Sequence, residues 1–356
     1  MSEQLTDTLY SEAVMLLKQL IAIPSLSGDE DGTCVEIELF LSEKGVTTKR
    51  FLNNVWAVNK YYDATKPTIL LNSHHDTVKA NKSYTNDPHE AIEVGGKLYG
   101  LGSNDAGGCL VSLIAAFLYF YERRDLKYNL VLAASAEEEN SGKNGIEALL
   151  PKLGKIDFAI VGEPTQMNMA VAEKGLLVLD CVAHGKAGHA ARSEGENAIY
   201  KAMKDIEWFS KYQFPKVSEL LGPVSMNVTI INAGTQHNVV PDHCNFTIDC
   251  RINECYKHEE VLEVIRQNVA SGVVPRSMRL RSSSILLDHP IVTAGVKHGR
   301  KYFGSPTMSD KALMPFPALK MGPGDSARSH IADEFIYLSD IREGINIYIQ
   351  LLNELL

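Results

Sequence analysis

The sequence predicts an α/β fold with a largely parallel sheet and an inserted second domain of ferredoxin-like topology. Short, continuously apolar runs alternate with helical patterns in the first half of the chain, which is typical of layered α/β proteins. The second half contains elements in the order β-α-β-β-α-β, the split arrangement of ferredoxin-like domains. The length of 356 residues allows two domains, each able to bury its own core.

The elements of the first predicted domain follow from hydrophobic periodicity and chain breaks. Apolar residues recur at helical spacing from Leu5 to Ile21, and Pro24 ends that helix. Asp105 opens a long apolar helix that reaches about Arg123. Apolar runs without alternation are typical of parallel strands that are buried on both faces. The other predicted elements are helices over 34–44 and 338–355 and strands over 55–61, 68–72, 129–134, 158–161 and 318–321.

The pattern changes after Leu177, where we predict the inserted domain. Its expected elements are strand 178–184, helix 198–211, strands 225–232 and 245–252, helix 259–270 and strand 278–283. The predicted domain organisation is therefore a catalytic domain in two parts, 1–175 and 289–356, with a lid or dimerisation domain over 176–288 between them.

Composition excludes several classes of protein. The chain is 45% hydrophobic and 22% charged, which is typical of a folded protein, and its net charge of −9 argues against nucleic-acid binding. The six cysteines are scattered without a C-x-x-C pair, which argues against a zinc finger or a disulfide scaffold. The most apolar stretch, 109–118, is shorter than the roughly 18 residues of a membrane span. We expect a cytoplasmic protein with no membrane partner.

Polar residues follow three of the predicted buried strands directly. The sequence His74-His75-Asp76 follows one, Glu137-Glu138-Glu139 follows the next, and Glu163 follows the third. Ligands bind at the carboxyl ends of strands in parallel sheets, so these side chains are expected to share one site. Solvated loops are the alternative interpretation of any single cluster. Further polar residues at Asp105 and His330 favour the shared site.

The residue types in these clusters indicate a metal site. Three adjacent glutamates repel one another unless a cation is present or one of them takes up a proton. Histidine and carboxylate ligands without thiolate favour zinc, or cobalt and manganese. His74 and Asp76 share a strand face, which suits a ligand histidine whose second ring N–H is accepted by the aspartate. His75 points the other way and is expected to be structural.

Eight motifs in series resemble the dinuclear zinc family of acetylornithine deacetylase, succinyl-diaminopimelate desuccinylase, aminoacylase and carboxypeptidase G. The matches follow the family order across nearly the whole chain and imply a zinc-peptidase-like catalytic domain with an inserted dimerisation domain. The motifs are Ser73-His-His-Asp-Thr-Val, Gly100-Leu-Gly-Ser-Asn-Asp-Ala-Gly-Gly, Ser135-Ala-Glu-Glu-Glu, Val161-Gly-Glu-Pro-Thr, His184-Gly-Lys-Ala-Gly-His-Ala, Asn238-Val-Val-Pro, Asp249-Cys-Arg and Gly322-Pro-Gly-Asp-Ser-Ala-Arg-Ser-His.

The resemblance implies two divalent metal ions, zinc or cobalt, and a role for each matching residue. Asp105 bridges the metals, Glu138 is the general base, and Asp76 orients the ligand histidine. Glu137 stands where the family usually has an aspartate, so a shift of register by one residue would move the roles of Glu138 and Glu139. The implied metal ligands are His74, Asp105 and Glu163 for one ion, and Asp105, Glu139 and His330 for the other.

The resemblance also implies residues that contact the substrate. His189 matches a histidine that crosses a homodimer interface to stabilise the oxyanion, although a structural histidine is the alternative. Arg251 and Asn238 match positions that contact a substrate carboxylate, and pairing of Arg251 with Asp249 is the open alternative. Two further substrate-binding candidates precede the last metal ligand, namely Asp325 and Ser326.

The expected activity is metal-dependent hydrolysis of the amide bond in a small N-acyl amino acid. The Gly322-Pro-Gly motif favours acetylornithine, or a related acylornithine or acylcitrulline of arginine biosynthesis, as substrate. The extra cations Arg192 and Arg328 favour the alternative, succinyl-diaminopimelate, whose succinyl carboxylate they would bind unless they are surface residues. A di- or tripeptidase is a third possibility. A non-catalytic relative that binds metal or amino acids is the competing class.

Overall fold

A computed structural model describes residues 3–192 and 194–356, which divide into two compact units. The first unit comprises Met1–Val171, Ile285–Phe303 and Ser309–Leu356, and the second comprises Ala172–Ser284 and Gly304–Met308. The main segment of the second unit begins four residues before the start of the predicted insert over 176–288 and ends four residues before its end. The unit also includes the short later segment Gly304–Met308. The exact domain boundaries stay a prediction.

Eight α-helices lie among eighteen strands in the part of the chain that the structure describes. The helices are α1 (Glu3–Ile21), α2 (Asp31–Glu43), α3 (Gly108–Tyr121), α4 (Ile146–Leu153), α5 (Ala198–Lys211), α6 (His258–Asn268), α7 (Pro290–Lys297) and α8 (Leu338–Leu355). The strands are β1 (Thr48–Phe51), β2 (Asn54–Val58), β3 (Thr68–His74), β4 (Ile92–Val94), β5 (Lys97–Tyr99), β6 (Asn129–Ser135), β7 (Phe158–Val161), β8 (Met169–Glu173), β9 (Gly175–His184), β10 (Gly188–His189), β11 (Ser225–Ala233), β12 (Val239–Val240), β13 (His243–Ile252), β14 (Gly272–Pro275), β15 (Ser283–Ser284), β16 (Tyr302–Ser305), β17 (Ala318–Lys320) and β18 (Phe335–Tyr337).

The sheet of the first unit is mixed, with a parallel centre. Its strands run in the order β1-β2-β6-β3-β7-β17-β8, and the four central strands β6, β3, β7 and β17 are parallel. Every residue of β3, β6 and β7 is buried, as the continuous apolar runs predict. The predicted α/β fold class with a largely parallel sheet is therefore confirmed.

Helix α3 is the central helix of the first unit and packs against α1, α8, β3 and β6. Its sequence is almost entirely apolar, so nearly all of its residues are buried. The stretch Ser103–Tyr121 is long and apolar enough to cross a membrane by length and composition, but 78% of its most apolar window is buried inside the protein. This burial is what a core helix requires. The helix begins three residues later than predicted, because Asp105 lies in a distorted turn, Ser103–Gly107.

The second unit contains a four-stranded antiparallel sheet with the order β11-β13-β9-β14. With α5 and α6 this gives the predicted β-α-β-β-α-β order. The predicted strand over 278–283 is wrong, because the fourth strand is β14, which pairs Val273 with Cys181 of β9. Strand β14, four residues long, is an edge strand of this sheet. Its side chains alternate between the two faces, with Val273 buried and Val274 65% exposed.

Candidate metal centre

The parallel strands of the first unit end at one edge of the sheet, and the candidate site lies in the loops that follow. Strand β3 ends at His74, β6 ends at Ser135, and β7 ends at Val161. Because these strands are parallel neighbours, their carboxyl ends lie side by side. The local sequence therefore brings the histidine, the acidic run and Glu163 together, as the strand ends predict.

Asp105 lies between the two candidate histidine ligands. Its Oδ1 is 3.3 Å from Nε2 of His74, and its Oδ2 is 3.7 Å from Nε2 of His330. Each oxygen of one carboxylate therefore faces a different imidazole. This is the arrangement that a carboxylate bridging two metal ions requires.

The remaining candidate ligands divide between the two sides of Asp105. Oε1 of Glu163 is 3.9 Å from Nε2 of His74, and Oε2 of Glu139 is 3.0 Å from Nε2 of His330. The structure thus brings all five predicted ligands together around Asp105, but Glu139 also has a ligand atom within 4.8 Å of those of His74 and Asp105, so the division into two sets stays a prediction. Glu138 also has a carboxylate oxygen within 4.8 Å of ligand atoms of His74 and Glu163, so its side chain borders the same centre.

The charges of the site suit bound cations. Burial lowers the pKa of His74, but the carboxylates of Asp105 and Asp76 outweigh burial and raise that pKa well above its ordinary value. The hydrogen bond to Glu139 raises the pKa of His330 to about 9. Burial and the charge of Glu163 raise the pKa of Glu138. In the protein alone, protons therefore compensate a carboxylate excess that two divalent cations would neutralise, and the donor set fits a pair of such ions.

Asp76 contacts its histidine less directly than the sequence predicts. Nδ1 of His74 is 3.0 Å from the backbone carbonyl oxygen of Asp76 and 3.4 Å from its Oδ1. The carboxylate instead accepts hydrogen bonds from the backbone N–H groups of Glu138 and Glu139, both at 3.1 Å. Asp76 therefore holds both the histidine and the acidic loop.

His75 has structural contacts, as expected from the strand alternation. Its Nδ1 is 2.8 Å from the hydroxyl of Thr33, and its Nε2 is 2.9 Å from the carbonyl oxygen of Asn53. Burial lowers its pKa. Both ring nitrogens are thus engaged within the protein.

Two residues that the sequence did not single out hold the turn around Asp105. The buried carboxylate of Glu334 accepts the backbone N–H groups of Asn104 and Asp105 at 2.8 and 2.9 Å. The side chain of Asn104 exchanges two hydrogen bonds, each 3.0 Å, with the backbone of Asp325. The loops that carry Asp105 and His330 are therefore linked. Asn104 could have been suspected from its position next to Asp105, whereas Glu334 has no comparable signal.

The predicted substrate-binding residues of the first unit lie on the loop that precedes His330. The carboxylate of Asp325 caps the turn Ser326–Arg328 through the N–H of Ala327 and accepts a 2.6 Å hydrogen bond from Gln166. Ser326 is exposed. Their substrate contacts stay a prediction.

Arg328, one of the two cations that the sequence offers for a succinyl carboxylate, has partners in the first unit. Its guanidinium group pairs with Asp340 at 3.1 Å and stacks 5.0 Å from the ring centre of Phe335 and 4.7 Å from that of Tyr337. These contacts are the structural alternative to binding a succinyl carboxylate.

The second unit brings two further candidates together. His189 on β10 pairs with Val239 on β12, and the carbonyl oxygen of Asn238 accepts the N–H of Ala190. His189 and Asn238 are exposed. Arg251 on β13 makes a bidentate pair with Asp249 at 2.8 and 3.1 Å, which is the open alternative to substrate binding. Arg192 is also exposed.

Comparison with known proteins decides the family. Residues 70–354 match the family described as peptidase family M20/M25/M40. The chain belongs to this M20 family. A succinyl-diaminopimelate desuccinylase of Corynebacterium glutamicum is 28% identical over 97% of both chains, and one of Rickettsia bellii is 26% identical over 96% of both. The suspected family resemblance is confirmed.

Solved structures of other proteins have the same fold at low identity. Aminopeptidase PepT of Bacillus cereus aligns with a TM-score of 0.78 and 17% identity over 97% of this chain and 98% of its own. The Bacillus subtilis protein YXEP, described as a dinuclear metal-binding peptidase of the M20 family, aligns with a TM-score of 0.76 and 16% identity over 97% and 98% of the two chains. The protein is a metal-dependent hydrolase that acts on amide bonds.

Metal removal tests the centre directly. We expect dialysis against a chelator to abolish activity and zinc or cobalt to restore it, with two metal ions bound per chain. Zinc at about 100 times its dissociation constant should stabilise the fold by roughly 2.7 kcal/mol per site, because the ions bind only the folded state. Elemental analysis and thermal unfolding measure both effects. Full activity with no bound metal would contradict the assignment.

Proposed function

We propose that the protein hydrolyses the amide bond of an N-succinyl amino acid and that succinyl-diaminopimelate is its substrate. The observation that carries the proposal is the similarity to two succinyl-diaminopimelate desuccinylases over at least 96% of the chain. The five converging ligands around Asp105 supply the chemistry that such a reaction needs. The products are succinate and diaminopimelate.

The proposed mechanism assigns separate tasks to the side chains. The five side chains that would hold two zinc ions are those of His74, Asp105, Glu163, Glu139 and His330, and the bound ions would lower the pKa of a water molecule and polarise the substrate carbonyl group. Glu138 accepts a proton from the attacking water as the new carbon–oxygen bond forms. The same carboxyl group then donates that proton to the amine nitrogen as the carbon–nitrogen bond breaks.

Two neighbouring cations of the second unit, Lys174 and Arg251, are compatible with an anionic substrate. Burial and the positive charge of Arg251 lower the pKa of Lys174. Asp249 satisfies one edge of Arg251, whose side chain is still 33% exposed. A guanidinium group with free donors can bind a carboxylate such as that of a succinyl group.

Several expectations from the sequence are part of this proposal. Acetylornithine, the substrate that the sequence favoured, is now the second choice, because the named relatives are desuccinylases. A homodimer through the second unit, with His189 acting in the neighbouring subunit's site, stays a prediction. Exposed Ile230 and Ile231 on the edge strand β11 are consistent with such an interface. The cytoplasmic location is also a prediction.

A substrate panel tests the proposal. At fixed zinc, kcat/KM is compared for succinyl-diaminopimelate, succinylornithine, acetylornithine, acetylcitrulline and a dipeptide. We expect succinyl-diaminopimelate to be preferred over acetylornithine at least tenfold, which corresponds to about 1.4 kcal/mol of transition-state binding. A tenfold preference for an acetyl compound or the dipeptide would reject the proposed substrate. A zinc-loaded protein inert on all five would favour a non-catalytic relative.

A further inference from the structure

The backbone N–H groups of the segment 136–139, which carries Glu138 and Glu139, are bound by side-chain oxygens. Its four consecutive backbone N–H groups all donate to side chains that are buried. The four hydrogen bonds are Ala136 to Asn54 at 3.0 Å, Glu137 to Glu30 at 3.2 Å, and Glu138 and Glu139 to Asp76 at 3.1 Å each. Asn54, Glu30 and Asp76 are at most 1% exposed.

The backbone at Glu137 makes this convergence possible. Its φ of +53° lies in the left-handed region, which non-glycine residues adopt mainly where surrounding contacts enforce it. Where one residue of a segment has this conformation, the successive backbone N–H groups around it point to the same side and can bind anionic groups. Here the partners are two carboxylates on different segments, those of Glu30 and Asp76.

Glu30 belongs to a short loop, residues 27–30, that donates hydrogen bonds to the carboxylates of both Glu30 and Asp76. Its Oε1 also accepts the N–H of Gly28 at 2.6 Å, and its Oε2 accepts the side-chain amide of Asn53 at 2.7 Å. The hydroxyl of Ser27 donates to Asp76 at 2.7 Å. Residues 27–30 therefore fix the position of Asp76 and Glu137 together, and removal of Glu30 would leave three donors without acceptors.

We propose that Glu30 is a positioning residue for Glu138 and acts through the N–H of Glu137. The inference rests on the proposed role of Glu138 as base. A general base works only within hydrogen-bond reach of the water that it deprotonates, and a displacement of about 1 Å can cost roughly 100-fold in rate. Glu30 fixes the residue before this base, and Asp76 fixes the base itself.

The test compares Glu30→Ala, Glu30→Gln and a control, Asp205→Asn. Asp205, in the second unit, is a buried carboxylate that also accepts two backbone N–H groups, those of Ala270 and Ser271. We expect Glu30→Ala to lower kcat about 10- to 100-fold with less than a threefold change in KM. Glu30→Gln, which keeps one acceptor oxygen, should lose less. Asp205→Asn should keep its kcat.

Amide hydrogen exchange of the metal-free protein gives a second readout that needs no substrate. The N–H groups of 137–139 should exchange faster in Glu30→Ala than in the parent and should be unchanged in Asp205→Asn. Unchanged exchange, or a kcat within twofold of the parent, would overturn the proposal. An equal loss of kcat in the control would show a general structural effect and would also overturn it.

The two readouts separate this proposal from the proposed substrate. If the parent does not cleave succinyl-diaminopimelate, kcat is measured on whichever amide of the panel it cleaves, and the exchange experiment is unaffected. If Glu30→Ala does not fold, Glu30→Gln is measured in its place, and a kcat within twofold of the parent together with unchanged exchange would reject the role of Glu30.

Discussion

The Glu138→Gln variant is expected to lose about 10²- to 10⁴-fold in kcat and to keep two metal ions per chain. Loss of a general base costs rate in this range, which corresponds to roughly 3 to 5 kcal/mol of activation free energy. Burial and Glu163 raise the pKa of Glu138, as suits a group that must both accept and donate a proton. Elemental analysis and steady-state kinetics on the same preparation measure both quantities.

Glu137→Gln is the matched control for this variant. The carboxylate of Glu137 accepts hydrogen bonds from the backbone N–H and side chain of Asn144, at 3.1 and 2.9 Å. We expect a kcat close to that of the parent. The reverse result, with Glu137→Gln inactive and Glu138→Gln active, would show that the roles in the acidic run are shifted by one residue. Loss of one metal ion in Glu138→Gln would identify Glu138 as a ligand.

The sequence predicts the site well where chemistry follows directly from a strand end. The buried runs before His74, Glu137 and Glu163 are long and apolar enough to identify parallel neighbours, and parallel neighbours present their following loops at one edge. Asp105 and His330 do not follow predicted strands in this way. Their role came from the family resemblance, and the structure now places both beside that edge.

The residues that hold the site could not be predicted, because their role is to accept backbone hydrogen bonds across long sequence separations. Glu30 and Glu334 bind N–H groups 107 and about 230 residues away along the chain. Buried carboxylates are rare, and sequence composition places such residues at the surface. Only the folded chain shows that these two are enclosed.

The strand predicted over 278–283 is wrong, because a local sequence pattern does not determine which segment pairs with a neighbouring strand. Arg281 in this segment pairs with Glu259 at 2.6 Å, and the backbone carbonyl of Leu280 accepts a hydrogen bond from the N–H of Leu176 in β9. Strand β14 lies earlier in the sequence, where residues Gly272–Pro275 pair with β9. The short run Val273-Val274 carries too little pattern for sequence analysis to favour it over its neighbour.

Asp105→Asn is expected to weaken the binding of both metal ions. It should also reduce kcat/KM by more than the roughly 10- to 100-fold that is lost when a residue hydrogen-bonded to a metal ligand is removed. One carboxylate oxygen of Asp105 faces His74 and the other faces His330, so the substitution removes a negative charge from both metal positions. Glu163→Gln is the matched comparison, because Oε1 of Glu163 lies 3.9 Å from Nε2 of His74 and Glu163 is the implied ligand of one ion rather than of both.

Zinc titration of the two variants distinguishes a bridging carboxylate from an ordinary ligand. Asp105→Asn should weaken binding of both equivalents of zinc, whereas Glu163→Gln should weaken one and leave the second close to the parent. The asymmetry follows from geometry, since a bridge contributes charge to two ions and a terminal ligand to one. Retention of one tightly bound zinc in Asp105→Asn would show that Asp105 binds a single ion. A different carboxylate would then have to bridge the two ions.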